Sequence, residues 1–300
     1  HNLFVFDNLI SYILFFAFLA YIHSRNQNGE WKLFNSKRNF SPRILSASYA
    51  IVPILIIFVI YFVNWKPLVT NARLIDALTG IQISGKDPVE VMQSFEKAYN
   101  GSRLGRSEVV EQITYRGTEL LSSSAPIERR NEYFNFAKQA AIKQADDLSG
   151  DARYQIVVGS FLSVTGNLDE ALLYLEKARE LSPGKQQIYY EIGSAYVNKG
   201  EFQKALKVFQ QAYELAPQNP EAGVIYLIGA IYVGDREVET KLTAALSPEL
   251  IAFDQRILSA YLLNKRYGEA IKMLEKIGQS NPSLKMEADE YIRRIRSGEI

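Results

Sequence analysis

The sequence predicts an all-α protein in which two membrane-crossing helices precede a solenoid of stacked helix pairs. Three observations carry this prediction. Residues Ile44 to Val63 form a run of twenty residues without a charge. Between residues 152 and 219, small and bulky residues recur at a spacing of 34, and a fixed period in this range marks an array of repeats. Upstream of that array, residues 72–147 place apolar side chains at helical spacing, with no clear strand.

The first span is expected over about residues 3–22, uncharged from Asn8 onward, and the second over about 44–63. Twenty residues is the length that a bilayer core requires. Thirteen of the twenty residues in the second run are Ile, Leu, Val or Phe. At roughly −0.3 to −0.6 kcal/mol each on an insertion scale, they favour spanning. Asp7 lies near the end of the first span, away from the bilayer centre, where it would cost about 2.5–3.5 kcal/mol. Pro53 is expected to kink the second helix, which membrane helices tolerate. A signal peptide is the competing reading of either stretch, although neither carries a small-residue cleavage site.

The loop between the spans, 23–43, holds Arg25, Lys32, Lys37, Arg38 and Arg43 against Glu30; the twenty residues after Val63 hold Lys66 and Arg73 with Asp76. The positive-inside bias therefore places the loop in the cytoplasm, with His1 and everything after the second span outside. Tyr21, Tyr61 and Trp65 fit the aromatic belts at the interfaces. The absence of cysteine agrees with an extracytoplasmic domain without requiring one. Residues 1–65 carry a charge of +3 and the remainder −2 (29 basic, 31 acidic). No basic stripe or basic-aromatic groove appears, so a nucleic-acid partner is not expected. Arg293, Arg294 and Arg296 read as a solvated helix face.

Residues 66–150 are expected to form helical hairpins. Val89, Met92, Phe95, Ala98 and Tyr99 make one stripe; Ser107–Leu121 and Ile127–Leu148 make a further pair, the second using Tyr133, Phe134, Ala137 and Ala141. Generic hairpins fit this pattern, but divergent repeats that continue the superhelix of the later array are the expected reading.

In the array of 151–284, Gly159, Ala171, Ala178 and Pro183 recur as Gly193, Ala205, Ala212 and Pro217, with Leu162 matched by Tyr196 and Leu175 by Phe209. The small residues mark points where two helices approach closely, and the bulky ones fill the volume between them. Pro183 and Pro217 stop the second helix of each pair, and Gly166 and Gly200 supply the turn. These residues, at 152–185 and 186–219, resemble the tetratricopeptide repeat. Residues 251–284 fit again through Tyr261, Ala270, Leu274 and Pro282, with Leu258 and Ile277 in place of the small residues. The intervening 220–250 keeps Pro220, Gly229 and Gly234 but has Glu239 where alanine is expected, and reads as a degenerate repeat with a truncated second helix. Residues 285–297, within a terminal stretch 285–300, are expected to form the polar capping helix that solenoids require.

The array offers little chemistry. It has no Cys and no His, so thiol or imidazole nucleophiles and the usual zinc sites are excluded, and no metal or cofactor is expected. No glycine-rich phosphate loop follows a strand. Asp146, Asp147, Glu170 and Glu191 are expected at helix starts or on exposed faces, in capping or solubilising roles. The groove-lining positions of the first helices are Ile156, Ser160, Tyr190, Ser194, Asn198, Val224, Ile228, Gln255 and Ser259, which are expected to make a small, apolar and uncharged surface suited to a protein partner. Tetratricopeptide domains that clamp a partner's terminal carboxylate use Lys, Arg and Asn there, a set this array lacks.

His1-Asn2 directly precedes the first span on its outer side, and the chain starts there without Met, which predicts further chain upstream. The pair followed by Leu-Phe-Val-Phe-Asp, then two spans and external repeats, resembles the C-terminal end of bacterial O-antigen ligase and polymerase-type membrane proteins. It departs from them at Tyr12, where the family usually has Gly. The resemblance implies a bacterial inner-membrane protein with the repeats in the periplasm. It also implies a catalytic role for His1, in transferring sugar chains from an undecaprenyl-diphosphate carrier to an acceptor. An imidazole there would serve as general base on an acceptor hydroxyl, but the cations needed by a diphosphate leaving group would lie upstream of His1. His23, on the cytoplasmic side, has no expected role. The alternative is a non-enzymatic, membrane-anchored adaptor of an envelope assembly.

Overall fold

The computed structural model describes residues 16–22, 24, 51, 53–82 and 86–299. His1, His23 and almost all of the loop 23–43 lie outside the described residues, as does the backbone leading into Pro53, where the kink is expected. The chain divides into two compact units, 1–60 and 61–300. In the first, the described residues are helical and exposed. The expected span over 3–22 is described only from residue 16.

Two spans are expected from the sequence; among the described residues one helix, Pro53–Gln82, is long and apolar enough to cross a membrane. It does not stop near Val63. Ile60–Trp65 winds as a π-helix just ahead of Pro67, which lacks an N–H and crowds the carbonyl four residues earlier. A widened turn relieves that conflict without ending the helix.

The second unit is a run of helices. α1 (Lys66–Gln82), α2 (Pro88–Tyr99), α3 (Arg106–Tyr115) and α4 (Ile127–Asp147) come first. The repeats follow as α5 (Ala152–Val164) with α6 (Leu168–Leu181), and α7 (Gln186–Asn198) with α8 (Phe202–Leu215). Next come α9 (Pro220–Val233), α10 (Arg236–Ala245) and α11 (Pro248–Phe253). The last pair is α12 (Gln255–Leu263) and α13 (Tyr267–Ser280), capped by α14 (Lys285–Ser297). No strand occurs among the described residues. Most helices pack chiefly on their sequence neighbours, while α11 lies on α13 and α12 reaches back to α9, as in a tetratricopeptide-like solenoid.

The period has a residue-level cause. A Cβ on Gly159 would lie 2.5 Å from Leu175 Cγ, and one on Gly193 would fall within the ring of Phe209. Ala171, Ala178, Ala205, Ala212 and Ala270 are fully buried at the facing positions. Phe209 also abuts the next pair, since a Cβ on Gly229 would sit 2.8 Å from its Cδ2. One ring thus fills the seam between consecutive repeats.

The turns repeat as closely as the contacts. The first helix of each pair ends when a backbone N–H reaches back five residues: Asn167 to Leu162 O (2.8 Å), Glu201 to Tyr196 O (2.9 Å), Asp235 to Ala230 O (2.9 Å) and Arg266 to Tyr261 O (2.8 Å). This closure needs a left-handed residue before the donor. Gly166, Gly200 and Gly234 supply it, and in the fourth pair Lys265 adopts φ 56°.

Three expectations are refined here. Ser107–Leu121 is not one helix: α3 ends at Tyr115 and a 3-10 turn, Gly117–Ser122, follows. A side chain at Gly117 would collide with the buried Tyr133 hydroxyl, so the chain re-winds to pass that ring. The stripes over Met92, Phe95, Ala98, Tyr133, Ala137 and Ala141 are buried, in one core that continues to Leu162 and Ala171 of the first repeat. Glu239, in the alanine position, is buried without being a defect. Its carboxylate accepts two hydrogen bonds of 2.8 Å from the Arg266 guanidinium and one of 3.0 Å from the Tyr261 hydroxyl. Arg266 also bonds Glu269 at 2.7 Å. α10 is short, as expected, and α11 is an extra turn capped by Ser247 with Pro248 at its start.

Candidate protein-binding groove

The nine groove positions read from the sequence separate into two groups. Ser194, Asn198, Gln255 and Ser259 are exposed, and Ser160 and Tyr190 are half-buried. Ile156, Val224 and Ile228 are not groove surface. Ile156 packs in a core with Leu172, Ile188 and Ile192, and Val224 and Ile228 pack with Leu242 and Ile257. The cause lies in α9, which is apolar on every side and enclosed by α8, α10 and α12. A helix of that composition is a core helix, a signal already present in the run Val224 to Tyr232.

Tyr190 sits in a polar bridge between repeats. The Asn219 amide donates to Gln186 Oε1 at 2.7 Å and approaches the Tyr190 hydroxyl at 3.5 Å, while the Gln186 amide donates to Ala212 O at 2.7 Å. Burial raises the Tyr190 pKa, with a further contribution from Glu221. Glu191, expected on an exposed face, is instead half-buried. Burial pushes its carboxyl up, partly offset by the nearby Ser160 hydroxyl, which lies short of hydrogen-bond geometry. Glu170 pairs with Lys138 at 2.5 Å, and Asp147 with Lys143 at 3.2 Å.

Gln255 and Ser259 lead to an apolar concavity. They form the lip of a crevice of about 430 Å³ whose other walls are Phe253 of α11, Leu258 and Leu262 of α12, Leu274 and Ile277 of α13, Leu284, and Glu287, Ala288 and Tyr291 of α14. Its origin is the pair of substitutions noted in the sequence. Leu258 and Ile277 stand where other repeats have Gly and Ala, and both line the opening. Bulk at a close-approach point keeps α12 and α13 from closing on each other, and their apolar side chains floor a cleft walled on its far side by α14. Phe253, Leu284 and Tyr291 remain 45%, 39% and 39% exposed there. The groove reading did not include them, because they come from the extra turn and the cap.

Nearby charges are largely paired. Arg256 binds Glu221 through two bonds of 2.6 and 3.0 Å and Asp254 at 2.7 Å. Its pKa is raised, first by Glu221 and then by Asp254. Among the described residues no cluster of three or more His, Cys, Asp or Glu is arranged to hold a metal ion. The candidate catalytic His1 lies outside the described residues.

Comparison with known proteins gives partial likenesses. The sequence profile of the family "Regulator of microtubule dynamics protein 1-3" matches residues 156–248. The RNA polymerase-associated protein CTR9 of Caenorhabditis elegans is 23% identical over 154 residues, half of this chain, which spans only 13% of that protein's length. Among solved structures, a tetratricopeptide repeat protein from Parabacteroides merdae is 15% identical, with 75% of this chain and 89% of that one covered and a TM-score of 0.49. A thermophilic TPR protein of Thermus thermophilus is 19% identical over 60% of this chain and 97% of that one, with a TM-score of 0.41. MamA from Desulfovibrio magneticus is 17% identical over 60% and 94%, with a TM-score of 0.43.

Proposed function

We propose that residues 61–300 are a protein-interaction module, tethered to a membrane by the apolar segment before them. The observation that carries the reading is the open, uncharged face of the stacked hairpins, with Ser194, Asn198, Gln255 and Ser259 exposed along it and an apolar crevice at its end. Stacked helical repeats build extended surfaces of this kind and use them for binding. The tether is supported by the composition of Ile44–Val63 and by the Pro53–Gln82 helix, whose most apolar 18-residue window is only 6% buried. The basic loop 23–43 supports an orientation with the repeats outside the cytoplasm, in the periplasm of a bacterial cell.

Cysteine labelling tests the topology. A cysteine at Ser283 should react with a membrane-impermeant reagent in intact cells, and one in the loop 23–43 should not. The reverse pattern would overturn the orientation.

A second, finer reading is favoured by one observation, the His1-Asn2 pair ahead of the first apolar stretch. In it the chain is the C-terminal part of a membrane glycan ligase or polymerase, and His1 is a general base in transfer from an undecaprenyl-diphosphate-linked donor. Loss of one general base lowers a rate by roughly 10²–10⁴-fold. In the full-length protein, His1→Ala should then abolish glycan transfer, while deletion of 66–300 should leave transfer intact and impair assembly or acceptor choice. Normal transfer by His1→Ala, with activity lost on deletion, would leave the non-enzymatic adaptor.

A further inference from the structure

We infer that the crevice between α12 and α14 docks an amphipathic helix of a partner protein. That helix would place bulky apolar side chains in the crevice and a Lys or Arg opposite Glu287. The inference rests on the reading of residues 61–300 as a protein-binding module, and adds the location and the chemistry of the bound segment.

Shape, composition and charge each contribute. The crevice is bounded by helices on both sides, the setting in which a third helix lays its apolar face into a groove. The floor is aliphatic, through Leu258, Leu274 and Ile277, and aromatic rings stand at the rim from Phe253 and Tyr291. Exposed aromatic and aliphatic groups in a concavity are the anchors on which interfaces concentrate their binding energy. Glu287 is the one charged residue of the lining, and it enters no ion pair among the described residues. The nearest cation of α12, Arg256, is already held by Glu221 and Asp254. An unpaired carboxylate on an otherwise neutral wall favours a partner that brings its own positive charge and disfavours one that brings a negative charge. The Ser259 hydroxyl donates to Gln255 O at 2.9 Å, so that side of the lip makes no charge demand.

The test uses the full chain held in amphipol and a fluorescein-labelled helical peptide with Leu at i, i+3, i+4 and i+7 and one Lys beside them. A second peptide carries Glu in place of that Lys, and binding to empty amphipol is subtracted. Fluorescence polarisation should give an affinity at least about tenfold higher for the Lys peptide, and Glu287→Lys should reverse the order. Leu258→Gly with Ile277→Ala restores the small residues of the other repeats. This double variant should close the crevice and weaken binding at least about tenfold while the helical circular dichroism is kept. Equal affinities, an order unchanged by Glu287→Lys, or no saturable binding would overturn the proposal. So would a concentration-dependent dimer, seen by sedimentation and dissolved by Glu287→Lys, because the occupant would then be a second copy. None of these results touches the broader module reading, which is decided by cross-linking of the native partner along the whole groove.

Discussion

Substituting alanine for glycine at two helical positions should change stability in opposite directions. In a helix interior, Gly→Ala gains up to about 1 kcal/mol from backbone entropy and propensity. At Gly268, in the first turn of α13, a Cβ meets nothing within 4 Å. Gly268→Ala should therefore stabilise by about 0.5–1 kcal/mol. At Gly193 the same Cβ falls within the ring of Phe209, which also abuts Gly229 of the next pair. Gly229 confines it from α9, with the Leu206 backbone also close. Overpacking of this kind costs about 1–3 kcal/mol, and an aromatic ring held on both flanks places Gly193 near the upper end. After the propensity gain is subtracted, Gly193→Ala should lose about 1–2 kcal/mol. Urea unfolding followed by circular dichroism reads both as shifts of the midpoint. A stabilised Gly193→Ala would refute the close approach of α7 and α8, and with it the register of the repeat.

Other outcomes follow from the fourth pair. Lys265 holds a left-handed conformation that its three counterparts fill with glycine, so Lys265→Gly should raise stability by about 1 kcal/mol, seen as a higher midpoint. Glu239→Ala strands the guanidinium of Arg266, whose side chain is 11% exposed. Losing one partner of a buried pair costs about 3–5 kcal/mol, but Glu269 remains, so a loss of about 2 kcal/mol is expected. Glu239→Ala with Arg266→Asn, which removes both charges of the pair, should recover most of it. Acid should weaken the same region. The Arg266 hydrogen bond holds the Glu269 carboxyl down to about 2, from an ordinary 4.5. Burial alone would raise Glu239, but the bonds from Arg266 and Tyr261 outweigh it and lower its pKa as well. Folded-state values below the unfolded ones stabilise above about pH 4.5, and that stability is lost as pH falls toward 2. Arg266→Met should flatten the pH dependence of the urea midpoint in that window.

Much of the array was readable because its contacts are made by residues with no substitute. Gly159 and Gly193 have no room for a Cβ, and Ala171 and Ala205 have no exposed surface, so the period is visible as letters. The break after α3 was not, because it depends on the Tyr133 hydroxyl arriving from another helix at Gly117. The role of Glu239 was hidden for a similar reason: its compensation comes from Arg266, 27 residues on. At the groove, extending a surface position from one repeat to the next gives exposed residues at Ser194 and Ser259. It failed for Val224 and Ile228, where neighbouring helices surround α9. The crevice was half legible. Leu258 and Ile277 announced a departure from close packing, but the walls at Phe253 and Tyr291 needed the placement of α11 and α14.

The central claim, that this face of the array receives a protein partner, is tested most directly by site-specific photocross-linking in cells making the full-length protein. A photoreactive residue is placed in turn at Ser194, Asn198, Gln255 and Ser259, and at Gln203, Lys207 and Gln210 on the exposed side of α8. The account predicts one discrete partner adduct from the groove positions and none from the α8 positions. Adducts from α8 alone, or equal adducts from both sets, would contradict it.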